Sequence, residues 1–149
     1  MEAVIFVGIQ GAGKSSFYRE RFFNTHLRIN LDMLKTRHRE RVLVRACIDL
    51  QQPFVVDNTN PTAEERARYI APATAAGFRV VGYYVQSIVR DCLARNDRRE
   101  PRERVPGKAI GGTARRLQLP SLAEGFDALH YVRIDEAGSF RVEEWADEV

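Results

Sequence analysis

Short, continuous apolar segments recur along the chain, separated by longer stretches in which apolar and charged residues mix. Such segments, several of them ending in glycine, asparagine or aspartate, are typical of strands that are buried on both faces of a sheet. The pattern predicts five strands, at Ala3–Gly8, Leu27–Asn30, Pro53–Asp57, Arg79–Val85 and His130–Asp135.

The stretches between these strands are long enough to form helices. We expect helices at Lys14–Phe23, from Asp32 to about Leu50, from Thr62 to Gly77 and from Ser87 to about Asn96, with one or two short helices within 106–125. In the second of these helices, the expected buried positions include Leu34, Val42 and Ile48. The third begins with the spacing of a capping box, and Pro72 should kink or break its second half.

Strands that alternate with helices in this order favour a parallel sheet with helices on both faces. The 149 residues fit one domain. We therefore predict an α/β fold of three layers over residues 1–149, with a parallel sheet of about five strands.

The charge is distributed unevenly along the chain. The net charge is +3, but the segment 135–149 holds six acidic residues and one arginine, so the remainder carries +8. Basic residues concentrate in 19–45 and in 90–116. A GC-rich genome could account for the number of arginines, whereas their placement favours a polyanionic ligand. The acidic C-terminal tail has no functional interpretation.

Composition also bears on the compartment. A hydrophobic content of 44% and a charged content of 29% are ordinary for a globular protein. No apolar run approaches the roughly 20 residues that span a bilayer, and no secretory signal is visible. Cys47 and Cys92 lack the spacing of a metal site and indicate reduced thiols. We expect a cytoplasmic protein with no membrane partner.

The most informative motif follows the first predicted strand. The string GIQGAGKS matches G-x-x-x-x-G-K-[ST] in full, between a strand and a helix. Glycines let backbone N–H groups surround a phosphate, the lysine reaches the β- and γ-phosphates, and the serine hydroxyl binds Mg²⁺. The sequence thus predicts binding of ATP or GTP with Mg²⁺. The expected nucleotide-binding residues here are Gly8, Gln10, Gly11, Ala12, Gly13, Lys14, Ser15 and Ser16.

The motif does not by itself name the reaction. The N-K-x-D motif of a Ras-like GTPase is absent, and the D-x-x-G string at 135–138 comes too late to act as a switch. A motor-type ATPase needs a much longer chain. A small phosphotransferase remains, and it requires a base for the acceptor hydroxyl, a basic lid over the phosphates and an acceptor pocket.

Asp32 is the candidate base, because it follows the second predicted strand at the carboxyl edge of the sheet, where α/β folds bind ligands. From position alone, it serves equally well as the N-cap of the following helix. Lys35, close behind it, could hold an acceptor phosphate or simply face solvent.

The candidate lid lies at about 95–107. Guanidinium groups at this place would stabilise the charge that spreads over a transferring phosphoryl group, although the interleaved acidic residues also suit a solvated loop. The lid arginines are Arg95, Arg98, Arg99, Arg102 and Arg104, of which Arg95 and Arg98 are also expected to bind the nucleotide.

Four polar residues end the third predicted strand at the same edge of the sheet: Asp57, Asn58, Thr59 and Asn60. They could line the acceptor site, and Asp57 could assist Ser15 in binding Mg²⁺. Such residues also suit an ordinary turn.

The chain resembles the polynucleotide 5′-hydroxyl kinase domain of the phage and animal end-healing enzymes. The resemblance rests on GIQGAGKSS, RINLDMLK, VVDNTNPTAEERARYI, RNDRRE and VPGKAIGG…PSLAEGFDAL, and extends from Val4 to about Ile134. It implies an adenylate-kinase-like P-loop fold with an arginine-rich lid. It also implies that Asp32 is the general base, that Lys14 and Ser15 serve phosphate and Mg²⁺, and that Arg99, or alternatively Arg98, clamps the phosphoryl group.

Two positions depart from the family pattern. Lys35 stands where the phage enzyme has an arginine that contacts the acceptor's 3′-phosphate, and Leu31 replaces an arginine common before the base. A lysine keeps the charge but loses the bidentate fork. No D-x-D-G-T phosphatase segment is present, so a separate phosphatase or ligase would complete end healing.

Three functions remain open from the sequence. The leading prediction is transfer of the ATP γ-phosphate to the 5′-OH of DNA or RNA. The alternatives are a P-loop kinase of a sugar, nucleoside or antibiotic, and a non-catalytic nucleotide-binding module.

Overall fold

A computed structural model describes residues 1–146 and contains one six-stranded sheet. The strands are β1 (Glu2–Val7), β2 (Leu27–Ile29), β3 (Phe54–Val56), β4 (Arg79–Val85), β5 (Ala128–Ile134) and β6 (Phe140–Glu144). Their order is β2-β3-β1-β4-β5-β6, in which the first five are parallel and β6 runs antiparallel to β5.

Helices connect the parallel strands. They are α1 (Lys14–Arg21), α2 (Leu31–Leu34), α3 (Arg37–Leu50), α4 (Ala63–Ala75), α5 (Val89–Asp97) and α6 (Gly107–Arg116). Two short 3₁₀ turns lie at Pro101–Glu103 and Leu122–Glu124. The expectation of short helices within 106–125 is thus met by α6 and the second 3₁₀ turn.

Alternating residues of β1 divide the core into two layers. Ala3 and Ile5 pack with residues of α3 and α4 on one face, whereas Val4 and Phe6 pack with residues of α1, α5 and α6 on the other. All four are fully buried because helices cover both faces of the strand. The predicted three-layer α/β fold is confirmed.

The C-terminal part of the chain differs from the prediction. The segment expected to be an acidic tail contributes a sixth, antiparallel strand, β6, which pairs with β5. The Asp135 carboxylate accepts hydrogen bonds from the backbone N–H groups of Ala137 and Ser139, which fixes the turn before this strand. Trp145 then packs edge-to-face on Tyr84. The last part of the expected tail, 147–149, lies outside the described residues.

The expected single helix from Asp32 to Leu50 is divided in two. Lys35 ends α2 with a φ of 75°, and the Thr36 hydroxyl caps α3 by accepting a hydrogen bond from Arg39 N. This break changes which side of α3 faces the sheet. Val44 is therefore buried, while Val42, expected to be buried, is 55% exposed.

The break expected at Pro72 does not occur, because α4 runs through it to Ala75. A proline nitrogen removes one helical hydrogen bond, here the one to the carbonyl of Arg68. Both residues are exposed, so water can satisfy that carbonyl. Among the residues that the structure describes, no helix is long and apolar enough to cross a membrane.

Candidate active site

The phosphate-binding loop joins β1 to α1, as the motif predicts. Gly11 and Gly13 adopt φ values of 82° and 103°, in the left-handed region that favours glycine. A Cβ on Gly11 would lie 2.5 Å from the carbonyl oxygen of Cys92, which is backbone of α5 and cannot easily move. Gly11 is therefore required both by its dihedral angle and by the close approach of α5.

Lys14 opens α1 with its side chain almost fully enclosed. It is 9% exposed, and its Nζ donates a hydrogen bond to the carbonyl oxygen of Ile9 at 2.9 Å. Burial lowers the pKa of Lys14 to about 8, against a smaller opposing effect of the Asp57 carboxylate. An anion arriving in the loop would favour the charged lysine, so the site is electrostatically suited to phosphate.

Ser15 and Asp57 meet across the site, although they are far apart in sequence. The Ser15 hydroxyl donates to Asp57 Oδ2 at 3.0 Å. Arg28 in β2 donates from Nε to the same carboxylate oxygen at 2.9 Å and from Nη2 to Ser15 Oγ at 3.0 Å. A hydroxyl and a carboxylate suit Mg²⁺, which typically takes one or two protein oxygens and completes its shell with phosphates and water. Within residues 1–146, no cluster of three or more His, Cys, Asp or Glu residues could hold a metal.

Asp32 lies in the first turn of α2, but it is not the cap. The Asn30 side chain caps this helix by accepting a hydrogen bond from Met33 N at 3.0 Å, and Thr36 caps the next. The capping alternative for Asp32 is therefore wrong. Its exposed carboxylate lines the same cavity as the phosphate loop, where it is available to an incoming group.

The start of α2 is tied to the segment that follows β3. Asn30 Nδ2 donates to the carbonyl of Asp57 at 2.6 Å, and Leu31 N donates to Asn58 Oδ1 at 2.8 Å. Asn58 in turn donates to the buried Glu40 at 2.9 Å. Both polar ends of the Asn58 amide are thus engaged within the protein, which favours a role in positioning Asp32 over direct contact with a substrate.

Glu40 organises this network from α3. It is 2% exposed and accepts hydrogen bonds from Arg37 and from the hydroxyl of Tyr69. Burial and the negative charge of Glu40 raise the pKa of Tyr69 to about 12, so this hydroxyl stays protonated and able to donate. Through Asn58, this network holds the start of α2, the helix that contains Asp32, in place.

Thr59 and Asn60 also serve the loop. The carbonyl of Thr59 accepts a hydrogen bond from Gly8 N at 3.0 Å. Asn60 is 4% exposed, has a φ of 45° and donates from Nδ2 to the carbonyl of Phe6 at 2.7 Å. Both contacts fasten the turn after β3 to the end of β1.

The segment predicted to form the lid connects α5 to α6, and it is called the predicted lid below. Asn96, which is buried, donates to the carbonyl of Val105 at 2.7 Å and accepts from Val105 N at 3.0 Å, and this pair of bonds closes the base of the predicted lid. Arg99 is half-buried and lines the cavity, whereas Arg98 is exposed and does not. Arg95 donates to the carbonyl of Gly11 at 3.2 Å.

One polar cavity of about 340 Å³ brings most of the predicted residues together. The predicted residues that line it are Gln10, Gly11, Gly13, Lys14, Ser15, Asp32, Asp57, Asn58, Thr59, Asn60 and Arg99. The lining does not include Gly8, Ala12, Ser16, Lys35, Arg95 and Arg98. Gly8 and Ala12 are buried as part of the loop, while Ser16 and Lys35 are exposed.

Three residues of the site were not identified from the sequence. Arg28 is one of many arginines in a basic zone, and nothing local marks it as the partner of Asp57. Glu40 reads as an exposed helix residue, although its spacing from the buried Val44 is that of one helix face. Asn96 precedes a charged loop, and only the structure shows that its side chain bonds to Val105 at the other end of the predicted lid.

The fold and the glycine-rich loop define a P-loop nucleotide-binding domain. The chain belongs to the AAA domain family AAA_33, whose model matches residues 24–120. It is also 29% identical over 134 residues to the bifunctional polynucleotide phosphatase/kinase of Schizosaccharomyces pombe. That match covers 84% of this chain and 32% of the yeast protein, so the chain spans about a third of that relative's length. The resemblance to polynucleotide kinases is thus confirmed in sequence.

Solved structures share the fold at low identity. A gluconokinase from Sinorhizobium meliloti has a TM-score of 0.62 and 16% identity, over 91% of this chain and 83% of its own. Kti12 from Chaetomium thermophilum, solved in complex with ADP-AlF3, has a TM-score of 0.67 and 15% identity, over 91% and 92%. At these identities, the likeness concerns the fold alone.

Proposed function

We propose that this domain transfers the γ-phosphate of ATP to the 5′-hydroxyl end of DNA or RNA. One observation carries the proposal. The exposed carboxylate of Asp32, which caps no helix, lines the same cavity as four other predicted residues: Lys14, Ser15, Asp57 and Arg99 of the predicted lid. The yeast relative, whose name includes a polynucleotide kinase, supports the choice of acceptor.

In this reaction, Asp32 accepts the proton of the attacking hydroxyl and orients its oxygen in line with the γ-phosphate. The carboxylate is exposed to the cavity, and Asn30 and Asn58 hold the start of its helix. Such positioning supplies much of the rate in phosphoryl transfer, because the protein has little covalent chemistry to perform.

Positive charge stabilises the phosphoryl group as it moves. Lys14 would contact the β- and γ-phosphates, and Arg99 would approach from the side of the predicted lid. Ser15 and Asp57 would hold Mg²⁺, which supplies further positive charge to the phosphate oxygens when it is bound. The basic segments 19–45 and 90–116 suit an acceptor that carries many phosphates.

The decisive experiment supplies γ-labelled ATP and Mg²⁺ with a panel of acceptors: 5′-OH DNA and RNA oligonucleotides, nucleoside 3′-monophosphates and common sugars. We expect label on the oligonucleotides, with acceptor binding that weakens steeply as salt rises. Label on sugars or nucleosides alone would establish the small-molecule kinase instead. ATP binding without transfer to any acceptor would indicate a non-catalytic module.

Asp32→Asn should reduce transfer by at least a hundredfold, the lower range for loss of a general base. ATP binding should persist, because the loop is untouched. The matched control is Asp49→Asn, which alters an exposed aspartate paired only with Arg45 and should leave transfer intact. Full activity in Asp32→Asn would show that Asp32 is not the general base.

A further inference from the structure

Arg28 closes a triangle of hydrogen bonds with Ser15 and Asp57. Its Nε lies 2.9 Å from Asp57 Oδ2, its Nη2 lies 3.0 Å from Ser15 Oγ, and the third side of the triangle is the 3.0 Å bond from Ser15 to Asp57. The guanidinium fork therefore reaches both oxygen ligands that the proposed function assigns to Mg²⁺.

The buried carboxylate needs such a partner. The Asp57 side chain is 1% exposed, and an unpaired charge at that depth would be strongly destabilising. Lys14, the lysine of the phosphate-binding loop, donates from Nζ to the carbonyl of Ile9 instead. Among the described residues, Arg28 is thus the cation in direct contact with Asp57.

A guanidinium and a metal ion would compete for these oxygens. The hydroxyl hydrogen of Ser15 is directed to Asp57, and a lone pair of its oxygen accepts from Arg28. Mg²⁺ would bind that oxygen through a lone pair at about 2.1 Å, which would place two cations side by side in a buried site. The repulsion between the two cations favours the departure of one of them.

We propose that Arg28 is a resident counter-ion that holds Ser15 and Asp57 in the metal-free protein, and that Mg²⁺ must displace it when the nucleotide binds. The proposal rests on the metal role given to Ser15 and Asp57 in the proposed function, and not on the identity of the acceptor. Arg28 thereby sets the Mg²⁺ concentration at which the site binds nucleotide and metal together.

The position of Arg28 allows it to move. It lies on β2, which is an edge strand of the sheet, and its side chain is 30% exposed. The guanidinium can therefore turn towards solvent without passing through the core.

The test measures ADP binding by calorimetry at a series of free Mg²⁺ concentrations, without any acceptor. Arg28→Met keeps an unbranched, flexible side chain and removes the charge. Mg²⁺ should increase the affinity for ADP, and we define the Mg²⁺ midpoint as the concentration at which half of this increase is reached. We expect the midpoint to fall about tenfold in Arg28→Met, within the usual range for coupled sites. In EDTA, the same variant should unfold at a lower temperature than the wild type, because Asp57 loses its partner.

Arg45→Met is the matched control, because that side chain is 80% exposed and lies on α3, and its Mg²⁺ midpoint should equal the wild-type value. Arg28→Lys keeps a positive charge without the fork and should fall between the wild type and Arg28→Met. It keeps the test decisive if the methionine variant fails to fold.

An unchanged or higher Mg²⁺ midpoint in Arg28→Met would overturn the proposal, as would a midpoint in Arg28→Lys above the wild-type value. If Mg²⁺ fails to tighten ADP even in the wild type, the metal role itself is wrong. If the midpoint falls as expected but no acceptor is phosphorylated, the proposal for Arg28 stands and the proposed function fails.

Discussion

The buried lysine of the phosphate-binding loop makes a prediction about stability that can be worked out from the structure. Lys14 is 9% exposed, and burial lowers its pKa from 10.5 to about 8. At neutral pH, the nucleotide-free protein therefore holds a charged lysine in a place that disfavours charge. Replacing Lys14 with methionine, which is similar in length, should remove this penalty.

The size of the effect follows from the pKa difference. A difference of this size corresponds to about 3 kcal/mol, at roughly 1.36 kcal/mol per pKa unit. The methionine loses the hydrogen bond to the carbonyl of Ile9, which costs about 1 kcal/mol. Lys14→Met should thus stabilise the nucleotide-free protein by about 2 kcal/mol at pH 7.

The difference in stability between Lys14→Met and the wild type changes sign with pH. Between pH 8 and 10.5, the unfolded chain binds more protons at Lys14 than the folded protein, so the stability of the wild type rises through this window. Above it, the lysine is neutral in both states and keeps its hydrogen bond, which makes the wild type more stable than Lys14→Met by about 1 kcal/mol.

Urea denaturation of both proteins at several pH values between 7 and 11 measures this difference directly. The comparison cancels the titration of the groups that the two proteins share. A methionine variant that is no more stable than the wild type at pH 7, or a difference that does not change with pH, would refute the reasoning. Addition of ATP should reverse the order at pH 7, because the phosphates favour the charged lysine.

Three further predictions concern the scaffold of the site. Glu124→Gln removes the charge that pairs with the fully buried Arg66, and should lower the free energy of unfolding by about 3 kcal/mol in urea denaturation. Gly11→Ala forces a Cβ against the carbonyl of Cys92 at a φ of 82°, and should abolish ADP binding measured by calorimetry. Asn96→Ala opens the base of the predicted lid, and should speed proteolytic cleavage within 98–106 while the melting temperature changes little.

The loop and the strands could be predicted because their signals are local. The strand at Arg79–Val85 has the predicted bounds, since apolar residues fill positions 80–85 except for Gly82, and Gly77 separates the strand from the preceding helix. The phosphate-binding loop needs only its own eight residues, whose glycines and lysine have few other uses in that order.

The division between α2 and α3 could not be predicted in the same way. Lys35 has a φ of 75° although it is neither glycine nor asparagine. Contacts from the segment after β3, through Asn58, hold the start of α2 in place, and Thr36 begins a new helix. These contacts join residues that are distant in sequence, so a continuous helix was the natural expectation. The change of helix phase then explains why Val42 is exposed and Glu40 buried.

The position of Arg28 shows why the charge pattern of a sequence predicts a basic segment but not which of its residues belong to the site. The basic segment 19–45 is visible in the sequence, yet its arginines have different roles. Arg28 neutralises Asp57, Arg37 pairs with Glu40, and Arg45 faces solvent. The contact of Arg28 with Asp57 depends on the neighbouring positions of β2 and β3 in the sheet, whereas the ion pairs of Arg37 and Arg45 lie within α3.

Two charged groups of the cavity already have hydrogen-bond partners inside the protein before any ligand arrives. Asp57 has Arg28, and Lys14 has the carbonyl of Ile9, whereas Asp32 remains exposed to the cavity. Nucleotide and metal must therefore exchange two existing contacts for new ones, while the proposed base is ready without rearrangement. On this argument, the nucleotide half of the site responds to ligand, and the proposed acceptor half is already formed. Variants of Lys14 and Arg28 should consequently alter the metal and pH dependence of nucleotide binding, whereas variants of Asp32 should alter transfer alone.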